Sequence, residues 1–225
     1  MSPESTVFVV DDDPALRESL AWLLESVRLP ARTFASAHEF LQSFNKDQPG
    51  CLVLDVRMPG MSGLDLLDRM VAEDAGLPVI LLTAHADVPM AVRALKAGAA
   101  DFLTKPFNSQ ELLDRIQVAL EKDRRRRVDQ ARLAVLGKRF ATLTPREHEV
   151  MALVVSGYSN KEIAGQLGVS AKTVEAHRNK VMEKTNAGSV ADLVRMAIAC
   201  GAVSQSVALA EEEDIAGRSD SPPDR

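Results

Sequence analysis

The sequence predicts two domains of different class, an α/β domain built on a parallel sheet and then a small all-α domain. Three observations predict it. Short, wholly apolar runs alternate with helix-like stretches over residues 1–123, the pattern of buried parallel strands with helices on both faces of a sheet. From residue 140 the strand-like runs stop and four helix starts of one kind follow. Charge changes as well. Residues 1–123 hold 11 Lys and Arg against 19 Asp and Glu, a net −8; residues 124–205 hold 14 against 7, a net +7; residues 206–225 hold 2 against 6, a net −4. A basic segment inside a 225-residue chain of net charge −5 points to a polyanionic partner for that segment alone.

Val7-Phe8-Val9-Val10, Cys51-Leu52-Val53-Leu54, Val79-Ile80-Leu81-Leu82 and Phe102-Leu103 read as buried strands, with a weaker one near Arg32–Phe34. Asp13-Pro14 places a capping carboxylate before a proline at the first helical position, and Leu16, Leu20, Leu24 and Val27 follow at helical spacing. Asp87-Val88-Pro89 opens another helix, which Gly98 closes. Asn108 with Glu111 resembles a capping box ahead of Leu112, Leu113 and Ile116.

Composition narrows the function classes. Apolar residues make up 46% and charged residues 26%, a globular balance with material for a core. No run of eighteen apolar residues occurs and no charged segment precedes a long apolar one, so neither a membrane span nor a cleaved secretory signal is expected. Cys51 and Cys200 are far apart in apolar stretches, which offers no disulfide framework or Cys-based zinc site and suits a reducing cytoplasm. His38 and His85 have no second imidazole at ligand spacing and read as surface residues.

The chemistry lies at the strand ends. Asp11 and Asp12 follow the first strand, Asp55 ends the third, Thr83 ends the fourth and Lys105-Pro106 follows the fifth. Ligands of open parallel sheets sit beyond the carboxyl ends of the strands, so these groups are expected to converge. Three neighbouring carboxylates hold either protons or a cation. Oxygen donors without His or Cys favour a hard ion, Mg²⁺ or Mn²⁺. Such a site is a cage for a phosphoryl group: Asp55 as nucleophile, the metal and Lys105 neutralising phosphoryl oxygens, and Thr83 donating a hydrogen bond. Singly, a strand-end Asp is a cap or loop residue and a Lys before Pro a surface charge. Together they end successive strands, which unrelated loop residues should not do. Asp13 keeps its reading as a cap.

Val10-Asp11-Asp12-Asp13-Pro14, Leu54-Asp55-Val56-Arg57-Met58-Pro59-Gly60-Met61-Ser62-Gly63, Leu82-Thr83-Ala84 and Phe102-Leu103-Thr104-Lys105-Pro106-Phe107 resemble the signature of two-component receiver domains. That resemblance implies a doubly wound five-stranded parallel sheet of order 2-1-3-4-5. It implies phosphorylation of Asp55 by a partner sensor histidine kinase, and Mg²⁺ held by Asp12, Asp55 and the Arg57 carbonyl with Asp11 close by. It also implies a cis bond before Pro106, which an X-Pro bond permits. In the receiver context Thr83 moves toward the phosphoryl group and Phe102 turns inward as a switch, although Phe on an apolar strand is more commonly core. Arg93, Lys96 and Asp101 then become candidate contacts between receivers.

The run Glu121-Lys122-Asp123-Arg124-Arg125-Arg126-Arg127 lacks Gly and Pro, and Val128, Ala131 and Val135 follow at helical spacing. The last receiver helix is expected to continue as a connecting helix to Gly137. The four arginines read as a solvated helix face in preference to a direct DNA contact. The expected organisation is a receiver over 1–123, a helical linker over 124–139, an all-α four-helix domain over 140–203 and a disordered acidic tail over 204–225.

In the second domain Thr144-Pro145-Arg146-Glu147, Ser159-Asn160-Lys161-Glu162 and Ser189-Val190-Ala191-Asp192 share cap-to-acid logic, and Ser170 with Thr173 is a weaker version. The segment Asn160–Leu167, the turn Gly168-Val169-Ser170 and the helix Ala171–Lys184 have helix-turn-helix proportions. That last helix turns Val174, Val181 and His177 inward and is polar outside, whereas a protein-docking helix more often shows an apolar stripe. Together with Leu143-Thr144-Pro145-Arg146-Glu147, these segments resemble the LuxR-type DNA-binding domain, and the whole chain resembles the FixJ/NarL family, FixJ-like regulators most of all. Carried over residue by residue, Glu175, Ala176 and Asn179 lie at base-reading positions, with Lys172, Thr173, His177, Arg178 and Lys180 set for backbone phosphates. Val190, Leu193, Val194 and Ala197 are the expected dimer contact on DNA.

The function so predicted is a regulator switched by phosphorylation, not an enzyme: a homodimer when phosphorylated, bound to double-stranded promoter DNA, with RNA polymerase a further partner and the cytoplasm its location. Two other classes stand beside it. One is a phosphorylation-independent regulator, which an intact acidic site disfavours. The other is an aspartyl-phosphate hydrolase, which would carry an acid two residues beyond its nucleophile, where this chain has Arg57.

Overall fold

The computed structural model describes residues 5–84 and 88–202, without the side chains of 88–91. The chain divides into two compact units between Val128 and Asp129. The first holds strands β1 (Thr6–Val10), β2 (Ala31–Phe34), β3 (Gly50–Asp55), β4 (Val79–Thr83) and β5 (Asp101–Thr104), in a parallel sheet of order β2-β1-β3-β4-β5. Helices α1 (Pro14–Ser26), α2 (Ala37–Ser43), α3 (Gly63–Ala72), α4 (Val88–Lys96) and α5 (Ser109–Phe140) alternate with them.

Every residue of β1, β3 and β4 is buried, which is why these strands show no polar alternation in sequence. Alternate residues serve opposite faces. Phe8, Val10, Leu52, Leu54 and Leu81 pack with Leu66, Leu67 and Met70 of α3 and Phe40 of α2. Val7, Val9, Cys51, Val53, Ile80 and Leu82 pack with Leu20 and Leu24 of α1 and Leu112, Leu113 and Ile116 of α5. Asp13 Oδ1 accepts the Ala15 N–H at 2.9 Å and caps α1 as expected.

Four local expectations are corrected. Val27 is 44% exposed, because α1 ends at Ser26 and the helical phase stops there. Asn108 Oδ1 does accept the Gln110 N–H at 2.7 Å, but Glu111 forms no capping box; its carboxylate is taken by Arg115 one turn on, at 2.7 Å. Gly137 does not end the connecting helix. Leu136 and Phe140 are buried on either side of it and α5 continues to Phe140, so packing outweighs the roughly 1 kcal/mol cost of a helical glycine. The arginine run is only half solvated. Arg124 and Arg125 pair with Glu121, whereas Arg126 and Arg127 fold back onto the buried Asp123.

The second unit packs α6 (Pro145–Val155), α7 (Asn160–Leu167), α8 (Ala171–Thr185) and α9 (Val190–Ala199) around Val150, Met151, Ile163, Val174, Val181 and Leu193, with Leu136 and Phe140 from the end of α5. Reciprocal capping boxes form at Thr144/Glu147 and Ser159/Glu162. Ser189 caps α9 through the Asp192 N–H, but Asp192 Oδ2 accepts from the Gly188 N–H instead of completing a box. The expected cap Asp87, the loop residue His85 and the tail from 204 lie outside the described residues.

Candidate phosphoacceptor site and nucleic-acid interface

Sheet register builds the first site. Asp55, at the end of β3, sits beside Leu82, and Thr83 follows it at the end of β4 beside Thr104. Asp11 leaves β1 two strands of contact away from β5, yet Lys105 joins all of them. Its Nζ donates to Asp55 Oδ1 at 2.6 Å and to Asp11 Oδ2 at 2.7 Å. The Lys105–Pro106 bond is cis, and the Lys105 N–H donates to the Thr83 carbonyl at 2.7 Å. Asp11, Asp55 and Thr83 are buried, at 1%, 5% and 2% exposure.

The remaining acceptors are fixed as well. Asp55 Oδ2 takes the Arg57 N–H at 2.7 Å, and Asp11 Oδ1 takes the Asp13 N–H at 2.9 Å. Arg17, one turn into α1, donates to the Asp11 carbonyl at 2.8 Å. Burial pushes the Asp55 carboxyl above its ordinary value, and the nearby Lys105 only partly offsets this. For Lys105 burial opposes the charge, but bonds to Asp11 and Asp55 outweigh it and its pKa is raised. The centre is therefore one lysine Nζ held between the side chains of Asp55 and Asp11.

The donor set suits a hard cation: carboxylate and carbonyl oxygen, with no imidazole or thiolate. Asp12, however, is exposed, and among the described residues no three His, Cys, Asp or Glu side chains stand close enough to hold a metal as they are. The structure brings together Asp11, Asp55, Thr83 and Lys105 and leaves Asp12 facing solvent. Phe102 is half-buried against the core face of α3 and α4. Asp101 is bonded by Arg115, whereas Arg93 and Lys96 are exposed.

The second site is α8 and its support. Gly168, at φ 65°, ends α7 in the left-handed region, and Ser170 caps α8 through the Thr173 N–H at 3.1 Å. Lys172, Thr173, Glu175, Ala176, Asn179 and Lys180 are exposed. His177 is half-buried, between the inward and outward roles expected of it. Arg178 is also half-buried, and its Nη1 donates to Asn160 Oδ1 at 2.9 Å. The far end of α8 is tied by Lys184 to Glu147, whose carboxyl that bond, with the Thr144 N–H, pulls down to about 2.

One expectation fails here. Leu193 and Ala197 are both 0% exposed and lie in the core of the second unit, so they have no surface to give a second copy. Val190 and Val194 are half-buried against that core; the outer side of α9 carries Ala191, Arg195 and Ala199. Sequence reasoning also missed Arg17, Ser62/Asp65 and Asp123. Ser62 four residues before Leu66 is a readable capping signal, and the box with Asp65 forms. Nothing local marks Arg17 or Asp123 as different from other helix-surface charges.

Comparison with known proteins gives one family match in each part of the chain. Residues 7–117 match the response regulator receiver domain, and residues 141–197 match the bacterial regulatory proteins of the luxR family. Nodulation protein W of Bradyrhizobium diazoefficiens is 49% identical over 200 residues, covering 89% of this chain and 88% of that protein. Transcriptional regulatory protein FixJ of Azorhizobium caulinodans is 46% identical, covering 88% and 95%. The solved response regulator StyR is similar with a TM-score of 0.78 at 47% identity, over 86% of this chain and 98% of that one. Full-length FixJ from B. japonicum gives 0.53 at 39% identity, over 90% and 100%. A parallel sheet with its acidic strand ends, a helix-turn-helix unit later in the sequence and relatives of this identity over most of their length have one reading: the chain belongs to the response regulators that couple a receiver to a LuxR-type DNA-binding domain, the FixJ-like transcriptional regulators, and not to a family of enzymes.

Proposed function

We propose that this regulator is switched by transfer of a phosphoryl group from a sensor kinase's phosphohistidine to Asp55. An Asp55 carboxylate oxygen forms the new P–O bond as the P–N bond breaks, and the imidazole leaves with the electron pair. The observation that carries this reading is the 2.6 Å contact between Asp55 Oδ1 and Lys105 Nζ, at the end of a buried strand. It puts a fixed cation beside the acceptor oxygen, where phosphoryl charge is gained. Thr83 is one strand away to donate to a phosphoryl oxygen. Mg²⁺ held by Asp12, Asp55 and the Arg57 carbonyl, with Asp11 close by, would supply the rest of the charge neutralisation. Asp12 must turn inward for that.

Phosphorylation draws Thr83 toward the phosphoryl group, and Phe102 fills the space behind it. The regulator then binds promoter DNA as a dimer, raising affinity through two linked half-site contacts. Glu175, Ala176 and Asn179 read bases; Lys172, Thr173, His177 and Lys180 contact phosphates. Arg178 reaches the backbone while held by Asn160. RNA polymerase is the further partner and the cytoplasm the location.

The test is phosphoryl uptake from acetyl phosphate with Mg²⁺, alongside affinity for a two-half-site promoter fragment with and without beryllofluoride. The wild type takes up the group and gains affinity, and Asp55→Asn does neither. A gain of equal size in Asp55→Asn overturns the reading and leaves a phosphorylation-independent regulator.

A further inference from the structure

Two arginines of the run at 124–127 belong to a polar clamp at the end of the sheet opposite Asp55. Asp123 is 1% exposed. It accepts the Gly50 N–H at 3.0 Å, Arg126 Nη2 at 2.7 Å and Arg127 Nε at 2.7 Å. Arg127 donates further to the carbonyls of Lys46, Asp47 and Gln48, at 3.0, 3.0 and 2.7 Å. These bonds fasten α5 to the loop that leads into β3. A carboxylate so deeply buried is costly unless paired, and here each oxygen has a charged partner.

Besides the Arg115–Asp101 pair near its start, the α5 region is tied by charge at two further points. Just ahead of the helix, Lys105 bonds Asp55 and Asp11. Fourteen residues into the helix, Asp123 and its arginines hold it to the lead of β3. Asp55 takes part in the first tie and in none of the bonds of the second. Beyond the second, the same helix runs on to Phe140 and places Leu136 and Phe140 in the core of the second unit.

We propose that Asp123, with Arg126 and Arg127, is the pivot of α5: a positioning clamp that the linkage between phosphorylation and DNA binding requires. The proposal rests on Asp55 being the phosphoacceptor. With the clamp closed, a displacement of the β5–α5 junction turns the helix about a fixed point and reaches the segment beyond Val128. With it open, the same displacement is absorbed by slip of the helix end. An apparent basic patch is, on this view, an internal fastening.

The experiment uses the full chain, with Asp123→Asn and the milder Arg127→Gln, which leaves Asp123 its bonds to Gly50 and Arg126. Trypsin cleaves after arginine, so the clamp is read directly by digestion within 124–127. Wild type resists there, and both variants are cut at least tenfold faster. The coupling is read as the ratio of promoter affinities with and without beryllofluoride. That ratio falls at least fivefold in the variants while phosphoryl uptake from acetyl phosphate keeps its wild-type rate, a split that general destabilisation would not produce. Unchanged digestion overturns the clamp, and an unchanged ratio overturns its role in coupling. If Asp123→Asn fails to fold, Arg127→Gln decides both. A wild type that takes up no phosphoryl group removes the reading of Asp55, and the digestion arm still tests the clamp.

Discussion

Gly63 packs so closely on Asp55 that a Cβ at Gly63 would lie 2.1 Å from the Asp55 carbonyl oxygen and 3.0 Å from the Val56 Cα. The Gly63 N–H donates to the Val56 carbonyl at 3.0 Å, and the Ser62/Asp65 capping box starts α3 at that point. Close approach, not backbone angle, is what requires glycine here. The backbone bearing the Asp55 carboxylate is thereby wedged between β4 and the first turn of α3.

Gly63→Ala should therefore both destabilise the receiver and displace Asp55. Backbone atoms cannot yield as a flexible side chain would, so a cost of about 1–3 kcal/mol or more is expected for the overpacking. Denaturant unfolding measures it, and the rate of phosphoryl uptake from acetyl phosphate should fall with it. A midpoint and uptake rate equal to wild type would mean that the wedge has slack.

Glu147 gives the second unit a defined acid sensitivity. Its bond from Lys184, and then that from the Thr144 N–H, lower the carboxyl from 4.5 to about 2. A carboxyl whose folded pKa is depressed contributes stability that is whole above its unfolded value and is lost as pH falls through the folded one. Wild type should lose this contribution between pH 5 and pH 2. Glu147→Gln should have the lower unfolding temperature at pH 6, and the gap between the two should narrow as pH falls through that window. A gap independent of pH would leave only the lost capping geometry as its cause.

Much of this was legible because the chemistry lies where the chain is most constrained. Buried parallel strands leave no polar residue in their interiors, so Asp11, Asp55 and Thr83 stand out as the first polar groups after their runs, and Lys105 comes one residue after Thr104 at the end of the last. Caps are equally local: Thr144 and Ser159 announce their helices within four residues. Asp123 was not legible, because its partner Gly50 is over seventy residues away, as is Gln48 from Arg127, and its neighbours make it look like one more solvated charge. Asp12 shows the opposite limit. Its place beside Asp11 predicts convergence, but successive residues after a strand point apart, and one is buried while the other is exposed.

The polar face of α8 should divide into residues that position and residues that specify. Lys172→Ala and Lys180→Ala remove exposed cations, so each should weaken binding on all sequences and lower the salt-dependence slope by about 1. Asn179→Ala should instead cost about 1–3 kcal/mol on the cognate site alone. Titrations of cognate and scrambled duplexes at several salt concentrations separate the two. Equal losses on both duplexes for Asn179→Ala would remove it from the base-reading set.

Leu193 was expected at a dimer contact and is instead a core residue, and the two roles predict different failures. At 0% exposure, packed with Val150, Val174 and Val181, its truncation to alanine should cost about 2–5 kcal/mol of the second unit's stability. Loss of DNA binding should then follow the unfolded fraction, recover on cooling, and leave the residual complexes with wild-type stoichiometry. A true contact residue would behave otherwise: Leu193→Ala would unfold like wild type, bind a single half-site normally and lose only the second copy on a two-half-site fragment. Arg195, exposed two residues further along the same helix and so on its opposite side, is the better site for that second pattern. Arg195→Glu should leave the unfolding midpoint within about 0.5 kcal/mol of wild type, as a surface substitution does, so any change in stoichiometry it causes is a property of the surface and not of the fold.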